Sequence, residues 1–128
     1  MNKKELRTGI LNAVTDYLHQ EGFHDIRADL GNMNKPKKIV EERSGDIFQP
    51  DMMASQEDSS FLFEIETGEN LDANNELFVR KCKLFQQYAD SKNGKLYLIV
   101  PIQYFRKVLT HLNRNNLKHV GILQVDAG

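Results

Sequence analysis

Between the turn pair Asn93-Gly94 and a proline at position 101 runs Leu96-Tyr97-Leu98-Ile99-Val100, an apolar stretch without polar alternation. A half-exposed strand alternates apolar with polar residues, so a short uninterrupted run bounded by turn residues reads as a strand covered on both faces. Such a strand lies inside a sheet with helices packed on it, and the patterns on either side of it are helical. Upstream, Phe78, Cys82, Phe85 and Ala89 form one stripe, widened by Leu77, Leu84 and Tyr88, on a helix expected from about Asn70 to Ser91. Downstream, Pro101 suits the first turn of a helix that runs to about Asn116, with Ile102, Phe105, Val108, Leu109 and Leu112 inward. With a last strand over His119 to Val125, this half of the chain makes a right-handed crossover unit.

The first half starts with a helix from Lys3 to about Gln20. Leu6, Ile10, Leu11, Val14, Tyr17 and Leu18 are its inner face, and Lys3, Lys4, Arg7, Asn12 and Asp16 are expected outside. Gly22 ends it. Alternation predicts a half-buried strand over Phe23 to Leu30, followed by the breaker-rich and lysine-rich loop Gly31 to Lys38 and an extended stretch over Ile39 to Glu42. Asp46 to Ala54 and Ser60 to Glu66 then read as an antiparallel hairpin joined by the polar run Ser55 to Ser59. Pro50 cannot donate to a ladder and is expected at an edge or a bulge, bending the strand just before Asp51. The order is α-β-β-β-α-β-α-β: an α/β chain with a mixed central sheet flanked by helices.

At 128 residues the chain has room for a single domain, taken as 1–128. Its longest apolar run is far below the roughly 20 residues of a membrane span, and its basic, polar start lacks a signal-peptide core. The lone Cys82 makes neither an internal disulfide nor a zinc cage, so a soluble protein of the reducing cytoplasm is expected. The net charge of −1 gives no global attraction for a polyanion, which would have to be met by a local basic patch and bound cations.

The segment Phe61-Leu62-Phe63-Glu64-Ile65-Glu66 carries the chemistry. Phe61, Phe63 and Ile65 share one face of the strand, whereas Leu62, Glu64 and Glu66 share the other. Two carboxylates side by side in a partly dehydrated place repel each other unless a cation compensates. If the hairpin sets Asp51 opposite Glu64, three oxygen-bearing side chains converge, as Mg²⁺ or Mn²⁺ requires. A lone Glu-x-Glu is more often a solvent-facing strand edge; Pro50-Asp51 upstream, the hairpin spacing and a lysine-bearing helix downstream favour a site. The histidines His19, His24, His111 and His119 lack metal-ligand spacing, and no nucleophile elbow or phosphate-binding glycine loop is present. Cys82 reads as a core thiol.

Pro50-Asp51, then turn and strand, then Glu64-Ile65-Glu66 inside a hydrophobic strand, resembles the PD-(D/E)XK nuclease superfamily, which includes many restriction enzymes and Holliday-junction resolvases. The resemblance spans nearly the whole chain, from Lys3 to Val125, and implies a restriction-endonuclease-like fold. Asp51 matches the family's aspartate and Glu64 its second acid; Glu66 stands where lysine is usual. In some relatives that lysine comes from the next helix. Lys81, three residues after Phe78 and four before Phe85, borders the buried stripe there and is the candidate, whereas Lys83 points elsewhere. Glu5 is a weaker candidate for an outer acid. The implied activity is metal-dependent phosphodiester hydrolysis of DNA, with Asp51, Glu64 and Glu66 on Mg²⁺ or Mn²⁺, Lys81 assisting, and no covalent protein intermediate. Lys35, Lys37, Lys38 and Arg43 would supply phosphate contacts, and a homodimer is expected because cutting both strands needs two sites. The alternatives are a catalytically degenerate nuclease-fold subunit that binds nucleic acid, and a protein-interaction module whose acidic strand merely faces water.

Overall fold

Helix α1 (Lys3–Gln20) starts from a reciprocal cap, with the Glu5 backbone amide donating to Asn2 Oδ1 at 2.8 Å and the Asn2 side-chain Nδ2 donating to the Glu5 carboxylate at 3.1 Å. Strands β1 (His24–Ala28), β2 (Ile39–Val40), β3 (Ile47–Phe48), β4 (Met52–Gln56) and β5 (Ser59–Ile65) follow. Helix α2 (Asn75–Ser91), strand β6 (Leu96–Pro101), a 3₁₀ turn (Ile102–Tyr104), helix α3 (Phe105–Arg114) and strand β7 (Gly121–Val125) complete the chain. This computed structural model describes residues 2–69 and 71–126. Asn70, the expected start of the second helix, lies outside the described residues; the regular helix starts at Asn75.

The main sheet has the order β1-β4-β5-β6-β7, antiparallel among its first three strands and parallel from β5 to β7. It is therefore mixed, as expected. Helix α1 places Ile10, Leu11, Val14 and Leu18 on one face, against Ala28, Met52, Ala54, Phe63 and Ile99. Phe78, Cys82, Phe85 and Ala89 of α2, with Val108 and Leu112 of α3, cover the other face through Met53, Leu62, Leu96, Leu98 and Val100. Strand β6 contributes to both clusters and is buried on both faces. No helix among the described residues is long and apolar enough to cross a membrane.

The expected strand Asp46–Ala54 is two strands. Ile47–Phe48 pairs with Ile39–Val40 as a separate ribbon, and the main-sheet strand starts only at Met52. Pro50 lies in the gap, where its missing N–H interrupts no ladder. Arg80 of α2 clamps the ribbon, contacting Glu41 and Asp46 at 2.7 Å each and lying 5.7 Å from the Phe48 ring centre. The polar run Ser55–Ser59 shortens to a two-residue turn, because Ser55 pairs with Ser60 and Gln56 with Ser59, leaving Glu57 at φ 54° to turn the chain. Pro101 closes β6 rather than opening a helix, and the 3₁₀ turn intervenes.

All three helices end alike. After α2, Asn93 at φ 58° donates to Asp90 and Gly94 donates to Ala89, the paired bonds of a Schellman cap. Gly94 also passes so close to β5 that a Cβ there would lie 1.6 Å from the Ser60 carbonyl oxygen. Gly94→Ala is expected to lower stability by about 2–3 kcal/mol, as overpacking against backbone that cannot yield. Denaturant unfolding checks this: the midpoint should fall with the slope unchanged.

Candidate functional site

The β4–β5 ladder pairs Met52 with Phe63, and beyond it the chain replaces backbone pairing with side chains. The Asp51 amide donates to Glu64 Oε1 at 3.0 Å, and the Ile65 amide donates to Asp51 Oδ2 at 2.8 Å. The Asp51 carboxylate thus occupies the place of a carbonyl in the ladder, and its other oxygen takes an ion pair from Arg7 of α1. From the opposite layer, Lys81 of α2 reaches Glu64 Oε2 at 2.6 Å. The result is a chain of charges, Arg7, Asp51, Glu64 and Lys81, in which two neighbouring carboxylates are flanked by a cation at each end of the row.

Burial dominates the electrostatics. It is the main cause pushing the Glu64 carboxyl up, to about 8, with the Asp51 charge adding to it and Lys81 opposing both. Burial also raises Glu66, against the hydrogen bond from the Gly68 amide. For Lys81, burial disfavours the ammonium, but the charges of Glu64, Asp51 and Glu66 outweigh it and hold its pKa above the usual lysine value. Burial pushes the Cys82 thiol up to about 12, so it stays protonated as a core residue.

Each site residue read from the sequence now has a place. Asp51 and Glu64 meet, and Lys81 reaches them from α2 while Lys83 is exposed. Glu66 does not complete a three-carboxylate cluster: it lies just past the last residue of β5, and its Oε1 turns back to the Gly68 amide at 2.8 Å. Among the described residues no three His, Cys, Asp or Glu side chains come together in a way that would hold a metal ion. Glu5 is tied up in the α1 cap and contributes nothing at the carboxylates. Arg7, expected on the solvent face, takes the position beside Asp51 instead. Its spacing carried the signal, because it precedes Ile10 by three residues and Leu11 by four, bordering its helix stripe as Lys81 borders that of α2.

The basic candidates lie elsewhere. Lys35, Lys37 and Lys38 are exposed on the loop between β1 and β2, Lys35 within 3.8 Å of Asp29. Arg43 is exposed near the ribbon's turn and borders an open groove along α2 with Arg80 and Lys83. A separate cavity of about 280 Å³ lies beside the charge chain, between the end of β5 and the start of α2; Glu64, Glu66 and Lys81 line it together with Phe78, Leu98 and Cys82.

Two hard-oxygen ligands suit Mg²⁺ or Mn²⁺, which are commonly held by one or two carboxylates with water and phosphate completing the shell. Each carboxylate oxygen that already accepts one hydrogen bond keeps a second lone pair. The Asp51–Glu64 pair therefore fits such an ion in donor chemistry without Glu66. Compared with known proteins, the chain matches no family model, no curated protein and no solved structure.

A pH dependence follows from Glu64. Because its pKa is raised on folding, the native state holds a proton that the unfolded chain has released, so stability falls as pH rises from about 5 to about 8. Glu66 acts in the same direction. Lys81 contributes in the same sense but only above the usual lysine range, where its stabilisation is lost as pH rises through its raised folded-state pKa. Melting temperature measured across pH 5–8 should decline for the native sequence, and Glu64→Gln should remove most of that decline.

Proposed function

We propose that the chain is a metal-dependent DNA endonuclease of the PD-(D/E)XK type with a restriction-endonuclease-like fold, and that Asp51 and Glu64 hold its Mg²⁺ or Mn²⁺. One observation carries this reading: two neighbouring carboxylates sit where a sheet ladder ends, each countered by a cation from a different helix. A structural ion-pair network gains little from keeping two acids adjacent, whereas a cation site requires it. A bound Mg²⁺ or Mn²⁺ would supply positive charge at the scissile phosphate and a more acidic water.

The protein's own groups do the remaining work. Asp51 is held by the Ile65 amide and Glu64 by the Asp51 amide, so their oxygens are oriented before any ligand arrives. Lys81 orients water and counters charge at the phosphate in place of the usual strand lysine, whose position Glu66 takes. Arg7 is a second cation free to move from Asp51 to a phosphate oxygen. Lys35, Lys37, Lys38 and Arg43 lie outside this centre and serve the flanking backbone. A homodimer supplies two centres for two strands, in a cytoplasmic setting that suits the lone thiol. A second reading has specific support: Glu66 in place of lysine, and carboxylates already countered by Arg7 and Lys81, also suit a degenerate relative that holds DNA without cutting it.

A nicking assay with Mn²⁺ on several DNA forms separates the two. Asp51→Asn and Glu64→Gln keep the acceptors for Ile65 and Asp51 and so should keep the fold, while cutting drops at least about a hundredfold. Asp51→Ala is the poorer variant because it strips the Ile65 amide of its acceptor. Lys81→Ala should slow cleavage about a hundredfold without weakening Mn²⁺ binding, and Lys83→Ala should change neither. Equal rates for Lys81→Ala and Lys83→Ala would remove Lys81 from the chemistry, and absence of cutting by the native chain would leave the non-cutting relative. Sedimentation at assay concentrations is expected to show a dimer; a monomer that cuts would overturn that part.

A further inference from the structure

The cavity beside the charge chain has a composition that cation binding does not use. Its floor is apolar and aromatic, with Phe78, Phe85 and Leu98, while Glu66 and Asn74 bring polar groups to its lining. Asn74 is the N-cap residue of α2, yet its side chain makes no cap hydrogen bond, so its amide is not committed to the helix it precedes. Leu77, one turn further, is 42% exposed and also borders the cavity, adding an apolar side chain to its rim. At about 280 Å³ the space lies at the lower end of small-ligand pockets, roughly 300–1,000 Å³, and so suits one ring system rather than a whole nucleotide.

We propose that this cavity receives a single unpaired nucleobase of the DNA adjoining the phosphate at Asp51 and Glu64, so that the substrate is DNA with an unpaired or extruded nucleotide at the cut. The proposal rests on the nuclease reading and adds the substrate class. An apolar and aromatic lining suits the faces of a base, and an edge group that both donates and accepts, such as the Asn74 amide, suits its hydrogen-bonding edge. Lys81 lines the cavity and contacts Glu64, which puts a cation where the base's own phosphate must pass. A paired base would first have to be unstacked, which an unpaired one avoids.

The test uses aminopurine, a fluorescent base quenched by stacking, placed next to the cut in a perfect duplex and in a duplex with one unpaired nucleotide. Binding is followed with Ca²⁺ and cleavage with Mn²⁺. Aminopurine at the unpaired position should change its fluorescence on binding, and the unpaired substrate should be cut at least about tenfold faster than the perfect duplex. Asn74→Ala with Leu77→Ala, both on exposed side chains, should reduce that preference about tenfold. Equal cutting of both substrates, with no fluorescence change, would overturn the base pocket and leave the nuclease reading standing. Failure to cut any substrate with Mn²⁺ would overturn both.

Discussion

Placing two carboxylates at the end of a sheet is unfavourable twice over, since each loses hydration and each repels the other. Here the cost is offset by position. Asp51 stands in for a backbone carbonyl to the Ile65 amide, Glu64 accepts from the Asp51 amide, and the outer oxygens take Arg7 and Lys81 from opposite layers. The three layers are thus tied together at the point where β4 and β5 stop pairing. Removing either cation would leave a buried charge without its counterpart, while a divalent ion would replace both cations at once. The raised pKa of Glu64 expresses the same balance: burial and Asp51 outweigh Lys81 and disfavour the ionised carboxylate.

That arrangement depends on a frame that patterning dictates. The run Leu96–Val100 packs on both faces because α1 covers one side of the sheet and α2 and α3 the other. Strand alternation sends Phe63 towards α1 and Leu62 towards α2, so Glu64 emerges on the side from which Lys81 approaches. Lys81 follows from its place beside Phe78 and Phe85, a long side chain whose stem lies along the buried stripe while its head reaches the polar sheet end.

Where sequence reading and structure part, local chemistry had more than one solution. Arg7 borders the buried stripe of α1, but its spacing does not say which part of the sheet that edge meets; the docking of α1 on Met52 and Phe63 brings it to Asp51. Parity put Glu66 with Glu64, and both line one cavity with Lys81, but β5 ends at Ile65 and the Glu66 carboxylate turns back to the Gly68 amide instead of joining Asp51. The division of Asp46–Ala54 was foreshadowed by Pro50, yet that a separate ribbon would form depends on Arg80, a residue distant in sequence that draws Glu41 and Asp46 together. The family resemblance offers Glu5 as an outer acid, whereas its spacing from Asn2 marks a helix cap.

Whether Asp51 and Glu64 are metal ligands held ready by their own counter-cations can be read from an anomalous-scattering map of crystals soaked in Mn²⁺. One peak is expected within bonding distance of an oxygen from each carboxylate, with the Lys81 ammonium displaced from Glu64. A map with no peak there at saturating Mn²⁺, and with Lys81 still on Glu64, would contradict the ligand role and make the charge chain a purely structural tie between the layers.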